Sequence, residues 1–445
     1  MSPFTIRRVV TMKYRNLKGP VSVQIEITEA CNLECVHCYN HWRDKSRPAC
    51  FKNLNQENMN KIIASLIETG VSSVVLTGGE PLLFWNILTD AIQQMISAGI
   101  AVGLNSNLSL LTDEIAAFLK ESGLRNILVS VLGHKKEIHD AITGRDGSWQ
   151  KTIDGIKKAK KFGFNVSSNM VLMKTNHLFL HETAKLMKEL GIACFCATKA
   201  SPALNARNFG NLTLNREELR SSLAQLIQIK QEFQMEVDVL ECYPLCLISD
   251  ISKYSFFARR SCTAGVTTCT IGPTGNVRPC SHADMVYGNM FEENLIEIWQ
   301  KMSDWRNGQY IPDKCHACQF VERCSGGCRM EAKYRGDIRG EDPFMSNPEE
   351  VSPCNITSKN NIFNEFEKLK VNPRIKFRDE DFGATAIVPG NAVFLNADAV
   401  LILQNLLEQQ EFTANFMAEK FDLKIKAVNQ FLYHLLQSSI IKKVH

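Results

Sequence analysis

The sequence predicts an α/β fold whose core is a parallel sheet in open or closed barrel form. Three observations lead there. Strand-like runs alternate with amphipathic helices of about a dozen residues from 21 to 197, the pattern of βαβ units. The strands end in small polar residues, TGGE at 77–80, NSN at 105–107, Ser130 with Gly133, and SSN at 167–169, as ligand-collecting strand ends do. The alternation fades after about 235, where cysteine, proline and glycine dominate, and a third pattern starts near 370.

In order, VSVQIEI (21–27) alternates toward a strand and runs into the first cysteines. NMNKIIASLIETG (58–70) reads as a helix with a glycine cap, and VSSVVLTGG as the next strand. Helices follow at 87–98, 111–122, 151–162 and 179–190, each with a strand after it, at 100–105, 126–131, 164–171 and 191–197. Five or six units cover roughly 20 to 230. The cysteine-rich stretch lacks the apolar periodicity for a large core and needs metal to fold. Beyond 370, turn-punctuated strands precede three helices, AVLILQNLLEQQ, FTANFMAEKFD and KAVNQFLYHLLQSSII. That order predicts a small winged-helix-like unit.

The 445 residues imply two or three domains. A net charge of +4 names no polyanionic partner. No stretch reaches 18 uncharged apolar residues, so no membrane span is expected. The start has scattered charge and no apolar segment of signal-peptide length, which points to the cytoplasm. Sixteen cysteines suit a reducing compartment poorly as disulfides. They cluster instead, at 31, 35 and 38, at 262, 269 and 280, at 315, 318, 324 and 328, and at 354.

CNLECVHC (31–38) spaces three cysteines as C-x3-C-x2-C. Three thiolates hold three irons of a [4Fe-4S] cube and leave the fourth iron open for chemistry, whereas four suit electron transfer. A structural zinc completed by His37 or Cys50 is the alternative on spacing alone.

The loop after a first strand and the TGGEP after the second resemble the radical S-adenosylmethionine (radical SAM) superfamily over residues 20–230. The resemblance implies a cluster on Cys31, Cys35 and Cys38 whose open iron chelates S-adenosylmethionine. Gly78, Gly79 and Glu80 then lie along its methionyl end, with Asn107, Ser130 and Asn169 facing it from neighbouring strand ends. HDAITGRDGSW resembles a segment of related maturases; for His139 a structural role is expected.

Residues 262–354, including Gly326-Gly327-Cys328-Arg329, resemble the SPASM extension of peptide-modifying maturases, which carries two auxiliary [4Fe-4S] clusters. Two zinc ribbons are the inorganic alternative. The resemblance assigns Cys262, Cys280 and Cys328 to the first cluster and Cys315, Cys318, Cys324 and Cys354 to the second. The first set lacks one ligand. Cys246, Cys242, Cys269 or an open iron can fill the gap, and the upstream position favours Cys246. Cys194 and Cys196 fit no ligand spacing and read as buried thiols.

The tail has few lysines on its last helix, a thin footprint for nucleic acid. With Pro373 to Lys376 and Phe394-Leu395-Asn396, it resembles the peptide-recognition domain of ribosomally synthesised peptide pathways. By that likeness a leader peptide adds a strand to its sheet edge.

The whole is therefore expected to be a partial (β/α)6 TIM-type barrel with a cysteine-rich iron-sulfur extension and a C-terminal winged-helix-like domain. Expected boundaries are 1–20 for an N-terminal extension, 21–235 for the barrel, 236–365 for the extension and 370–445 for the tail. The implied activity is modification of a ribosomally synthesised precursor peptide by hydrogen-atom abstraction with a 5'-deoxyadenosyl radical. It implies three [4Fe-4S] clusters, S-adenosylmethionine, and a donor such as flavodoxin or ferredoxin, with no nucleic-acid or membrane partner. A maturase of a folded protein, as in sulfatase maturation, a small-molecule enzyme, and an electron-transfer protein are the alternatives.

Overall fold

The computed structural model describes residues 16–40, 51–202, 209–258, 260–347, 363–364 and 367–444. Seven parallel strands form in sequence order: β1 (Ser22–Glu26), β2 (Ser73–Thr77), β3 (Ala101–Ser106), β4 (Asn126–Ser130), β5 (Asn165–Leu172), β6 (Cys194–Lys199) and β7 (Glu236–Asp238). The helices between them are α1 (Gln56–Thr69), α2 (Trp85–Ser97), α3 (Asp113–Glu121), α4 (Lys136–Thr143), α5 (Ser148–Lys161), α6 (Leu180–Glu189) and α7 (Arg216–Phe233).

Apolar residues on alternate strand positions, such as Val23 and Ile25 or Val74 and Leu76, are buried against helix stripes such as Met59, Ile62, Ile63 and Leu66. This is the burial pattern of a sheet covered by crossover helices. Two elements go beyond the expected six units. Helix α7, opened by an Asn215–Glu218 capping box, delivers the short β7.

The cysteine-rich extension is sewn into the same sheet. Its strand β8 (Thr268–Ile271) pairs parallel with β1, and β9 (Asn276–Arg278) and β10 (Gly288–Asn289) follow antiparallel. The result is one ten-stranded sheet, ordered β10-β9-β8-β1-β2-β3-β4-β5-β6-β7. Short helices α8 (Ser255–Ala258), α9 (Leu295–Lys301), α10 (Val321–Cys324) and α11 (Arg329–Tyr334) complete the extension. The arginine of the GGCR sequence is structural: buried Arg329 donates to the carbonyls of Ile338 and Gly340 at 3.1 and 2.8 Å.

The tail has its own core, centred on Ile402, Leu406, Met417, Phe431 and Leu435. Strand β11 (Leu369–Val371) pairs with the last strand β15 (Ile441–Lys443). A separate antiparallel sheet runs β12 (Lys376–Glu380), β13 (Gly383–Val388), β14 (Asn391–Asn396). Helices α12 (Ala397–Leu407), α13 (Ala414–Lys420) and α14 (Ile425–Gln437) cover one face.

The other face meets the barrel at the N-terminal ends of its strands. Arg378 donates to the carbonyls of Gly19, Pro20 and Thr69 at 2.8, 3.0 and 3.1 Å and to Glu380 at 2.7 Å. Lys376 reaches Ala98 O at 3.0 Å, and Gly390 N donates to Ser72 O at 3.0 Å. The tail thus sits at the barrel end opposite the strand C-termini. No described helix is long and apolar enough to cross a membrane.

Candidate functional site

A cavity of about 390 Å³ opens at the strand C-termini. The loop 31–38 forms one wall, and its shape is fixed by backbone bonds to two neighbours. Glu34 N and Val36 N donate to Thr143 O and Ile142 O at the end of α4, at 2.8 and 2.9 Å. Gly79 N and Glu80 N donate to Thr28 O and Ala30 O, at 2.7 and 2.8 Å.

The two glycines allow the second contact. Gly78 has φ +137°, and a Cβ on Gly79 would lie 1.9 Å from Ala30 O. Their lack of side chains admits the backbone of 28–30, while both also line the cavity. Glu80 is buried, accepting from Ser106 Oγ at 2.7 Å, Leu82 N at 3.0 Å and Asn107 N at 2.9 Å. Burial raises its pKa.

Asn107, Ser130 and Asn169 line the same cavity, as expected from the strand ends. Asn107 is also bonded to the cysteine loop, donating to Asn32 Oδ1 at 3.0 Å, while Asn32 donates to Ser109 Oγ at 2.8 Å. Asn169 accepts from Thr198 Oγ1 at 2.9 Å.

His139, in α4, accepts from Leu132 N at Nδ1, 3.1 Å, so its hydrogen sits on Nε2. Nε2 is buried without a partner, as is His37 Nδ1. Burial holds both imidazoles near a pKa of about 4, hence neutral. Asp140 fixes the following turn, accepting from Gly147 N, Ser148 Oγ and Trp149 N.

No disulfide joins the described cysteines. Cys31, Cys35 and Cys38 border the cavity from the loop, and Cys242, Cys262, Cys280 and Cys328 from the extension. The structure corrects the expected grouping. Cys242, not Cys246, bonds to the Cys262 and Cys328 thiols, and these contacts with burial push its pKa well up. Burial and the same neighbours raise Cys280 to about 12.

Cys246 instead faces a second small cavity with Cys315, Cys318 and Cys324. The reason is the extended Pro244 and the tight turn Leu245–Leu247, which carry the chain away from the first group. Cys269, buried on β8, also lines the first cavity. Cys50 and Cys354 lie outside the described residues. Cys194 and Cys196 share a face of β6, with sulfurs 3.9 Å apart. Among the described residues no three His, Cys, Asp or Glu converge on a single metal ion, so the thiols are grouped around shared cavities.

A buried cluster between barrel and extension is marked by no sequence motif. Lys199, 1% exposed, donates to Ser201 Oγ at 2.8 Å, to Glu241 at 3.1 Å and to Glu331. His282 lies 3.3 Å from Glu241 and packs on Tyr39 with ring centroids 4.5 Å apart. Burial alone would lower the Lys199 pKa, yet the two carboxylates hold it well above the usual lysine value. Its members come from four distant segments, so no local motif marks it.

Residues 25–190 match the radical SAM superfamily, and residues 262–319 match SPASM, an iron-sulfur cluster-binding domain. The chain thus carries a radical SAM catalytic domain followed by a SPASM domain. Membership implies S-adenosylmethionine and at least one iron-sulfur cluster, and the thiols bordering the cavity are the donors such a cluster takes.

An AdoMet-dependent heme synthase of Oleidesulfovibrio alaskensis is 25% identical over 339 residues, 72% of this chain and 86% of that protein. A PqqA peptide cyclase of Bradyrhizobium diazoefficiens is 25% identical over 384 residues, 84% of this chain and 96% of that protein. The crystal structure of Streptococcus suis SuiB bound to its precursor peptide SuiA superposes with a TM-score of 0.60 at 18% identity, covering 73% of this chain and 75% of that one. That likeness is one of fold.

Proposed function

We propose that this enzyme modifies a ribosomally synthesised precursor peptide. The observation that carries the reading is the pairing of a cavity bordered by two cysteine sets with a separately folded tail whose sheet keeps both edge strands, β12 and β14, without a second ladder partner among the described residues. Such an edge takes an extended peptide by backbone bonding. Peptide cyclases and the SuiB complex supply the parallel.

In this reading Cys31, Cys35 and Cys38 hold the reactive [4Fe-4S] cluster. Gly78, Gly79 and Glu80, with Asn107, Ser130 and Asn169, surround S-adenosylmethionine. Cys242, Cys262, Cys280 and Cys328 hold one auxiliary [4Fe-4S] cluster, and the group around Cys315 holds the other. When bound, the cofactor and cluster supply a 5'-deoxyadenosyl radical that takes a hydrogen atom from the substrate. The chain's part is to orient that C–H and exclude water. Buried Glu80 fixes the strand-end loops, and α4 anchors the cysteine loop. An external reductant of flavodoxin or ferredoxin type supplies the electron.

The heme synthase similarity favours a second reading, a small-molecule substrate. Co-expression with short peptides encoded beside the gene separates the two. A peptide mass change that requires Cys35 supports the first reading. Unchanged peptides together with turnover of a tetrapyrrole support the second.

A further inference from the structure

Lys199 closes strand β6 and is 1% exposed, yet it borders the main cavity together with Ser201, Glu241 and His282. No step of the reaction described above uses it. We propose that Lys199 is a positioning residue of the first auxiliary cluster: its ammonium gathers the chain segments that carry Cys242, Cys280 and Cys328, and its charge sets how readily that cluster takes an electron. The proposal rests on the cluster reading above and deepens it.

The first argument is where its partners sit in the chain. Glu241, 3.1 Å from Lys199 Nζ, immediately precedes Cys242. Glu331, the second ion-pair partner, lies in the first turn of α11, the helix that starts directly after Cys328. His282, two residues beyond Cys280, joins through Glu241 at 3.3 Å. Ser201 Oγ accepts from Lys199 and donates at 2.8 and 2.9 Å to the two carboxylates. Segments far apart in sequence thus converge on one side chain.

The second is that the surroundings hold this arrangement still. Lys199 N donates to Tyr243 Oη at 3.0 Å, beside Cys242 on its other flank. Buried Asp342 accepts from Cys328 N at 2.8 Å. The ammonium lies 5.7 and 5.6 Å from the ring centroids of Tyr243 and Phe344, within cation–π range.

The third is electrostatic. Apolar side chains of similar volume would join buried segments at least as firmly as an ion-pair cluster does, so the charge itself calls for a use. A [4Fe-4S] cluster becomes more negative on reduction, and its potential follows local charge and burial. A buried cation therefore favours the reduced form and a buried carboxylate opposes it. Lys199 and Glu331 act with opposite sign.

The test removes the reactive cluster with C31A/C35A/C38A, loads the protein with iron and sulfide, and follows the auxiliary clusters by EPR in a redox titration. Adding Cys280→Ala identifies the first cluster's signal by its loss. Lys199→Met should move the midpoint of that signal to more negative potential. At a fixed potential its reduced-to-oxidised ratio should fall by about tenfold, while the second cluster's signal keeps its midpoint. Lys199→Arg should stay near the parent. Glu331→Gln, which retains the lysine, should move the midpoint the other way.

An unchanged midpoint in Lys199→Met, or an equal shift of both auxiliary signals, would overturn the proposal. So would a Glu331→Gln midpoint that stays put or turns more negative, and this variant decides alone if Lys199→Met assembles no cluster. A parent protein with no auxiliary iron, or a Cys280→Ala variant that loses no signal, would instead overturn the cluster reading on which the proposal rests.

Discussion

Substituting Gly79 by Ala tests how the cysteine loop is held. The new Cβ would stand 1.9 Å from Ala30 O and 2.5 Å from Ala30 C. Contacts below 3.0 Å are essentially never seen, so the backbone must move by at least 1.1 Å. The obstacle is main chain, not a flexible side-chain tip. It also carries the Glu80 N to Ala30 O bond.

Overpacking of this kind costs about 1–3 kcal/mol, and a displacement of about 1 Å at a reacting centre costs about 10²-fold in rate. Ala30 adjoins Cys31, so the shift is delivered to the first cysteine. We expect Gly79→Ala to fold with a melting temperature a few degrees lower and to lose about 10²-fold or more in 5'-deoxyadenosine release, with altered EPR of the reduced cluster. Wild-type release and spectrum would refute the claim that glycine is required there for backbone packing.

Other perturbations follow from the same contacts. Lys199→Met leaves half-buried Glu241 and buried Glu331 without their cation and should destabilise the chain by about 3–5 kcal/mol, read by urea unfolding; adding Glu331→Gln should recover part of that loss. Arg378→Ala strips the carbonyls of Gly19, Pro20 and Thr69 and leaves buried Glu380 without its cation, with only Lys18 N and Thr385 Oγ1 as donors, so limited proteolysis should release the tail earlier than in wild type. His139 has its pKa lowered from 6.5 to about 4 by burial. The unfolded chain therefore binds the extra proton first, and this contribution is full above pH 6.5 and lost as pH falls toward 4. Melting temperatures should drop less steeply across that window in His139→Gln than in wild type. The tail and cavity lie at opposite ends of the barrel, and the eight residues of β5 span about 26 Å. A precursor with fewer than about eight residues between leader and modified site should therefore stay unmodified by mass spectrometry.

Much of the barrel was legible because its strands and helices carry long, regular apolar patterns; the helix expected at 58–70 forms over Gln56–Thr69 and the strand at 164–171 over Asn165–Leu172. Short elements were not. Helix α4 has eight residues with only Ile138 and Ile142 to mark an apolar stripe, and β7 has three. Parallel pairing of β8 with β1 is a long-range choice that no local period encodes. The cysteine spacing marked the loop at 31–38, but spacing cannot tell which distant thiols meet. The chain turn at Pro244 decides that, sending Cys242 and Cys246 to different groups. Likewise the TGGE motif marked the cavity, while its packing against residues 28–30 emerged only in three dimensions.

The most direct test of the central claim is anaerobic. Protein with verified clusters, dithionite and S-adenosylmethionine is combined with a precursor peptide encoded beside the gene, and 5'-deoxyadenosine and peptide mass are followed together. The account predicts release accompanied by a mass change in the peptide, both abolished by Cys35→Ala. Cluster-loaded wild-type protein that releases no 5'-deoxyadenosine, or releases it while such peptides stay unchanged, would contradict it.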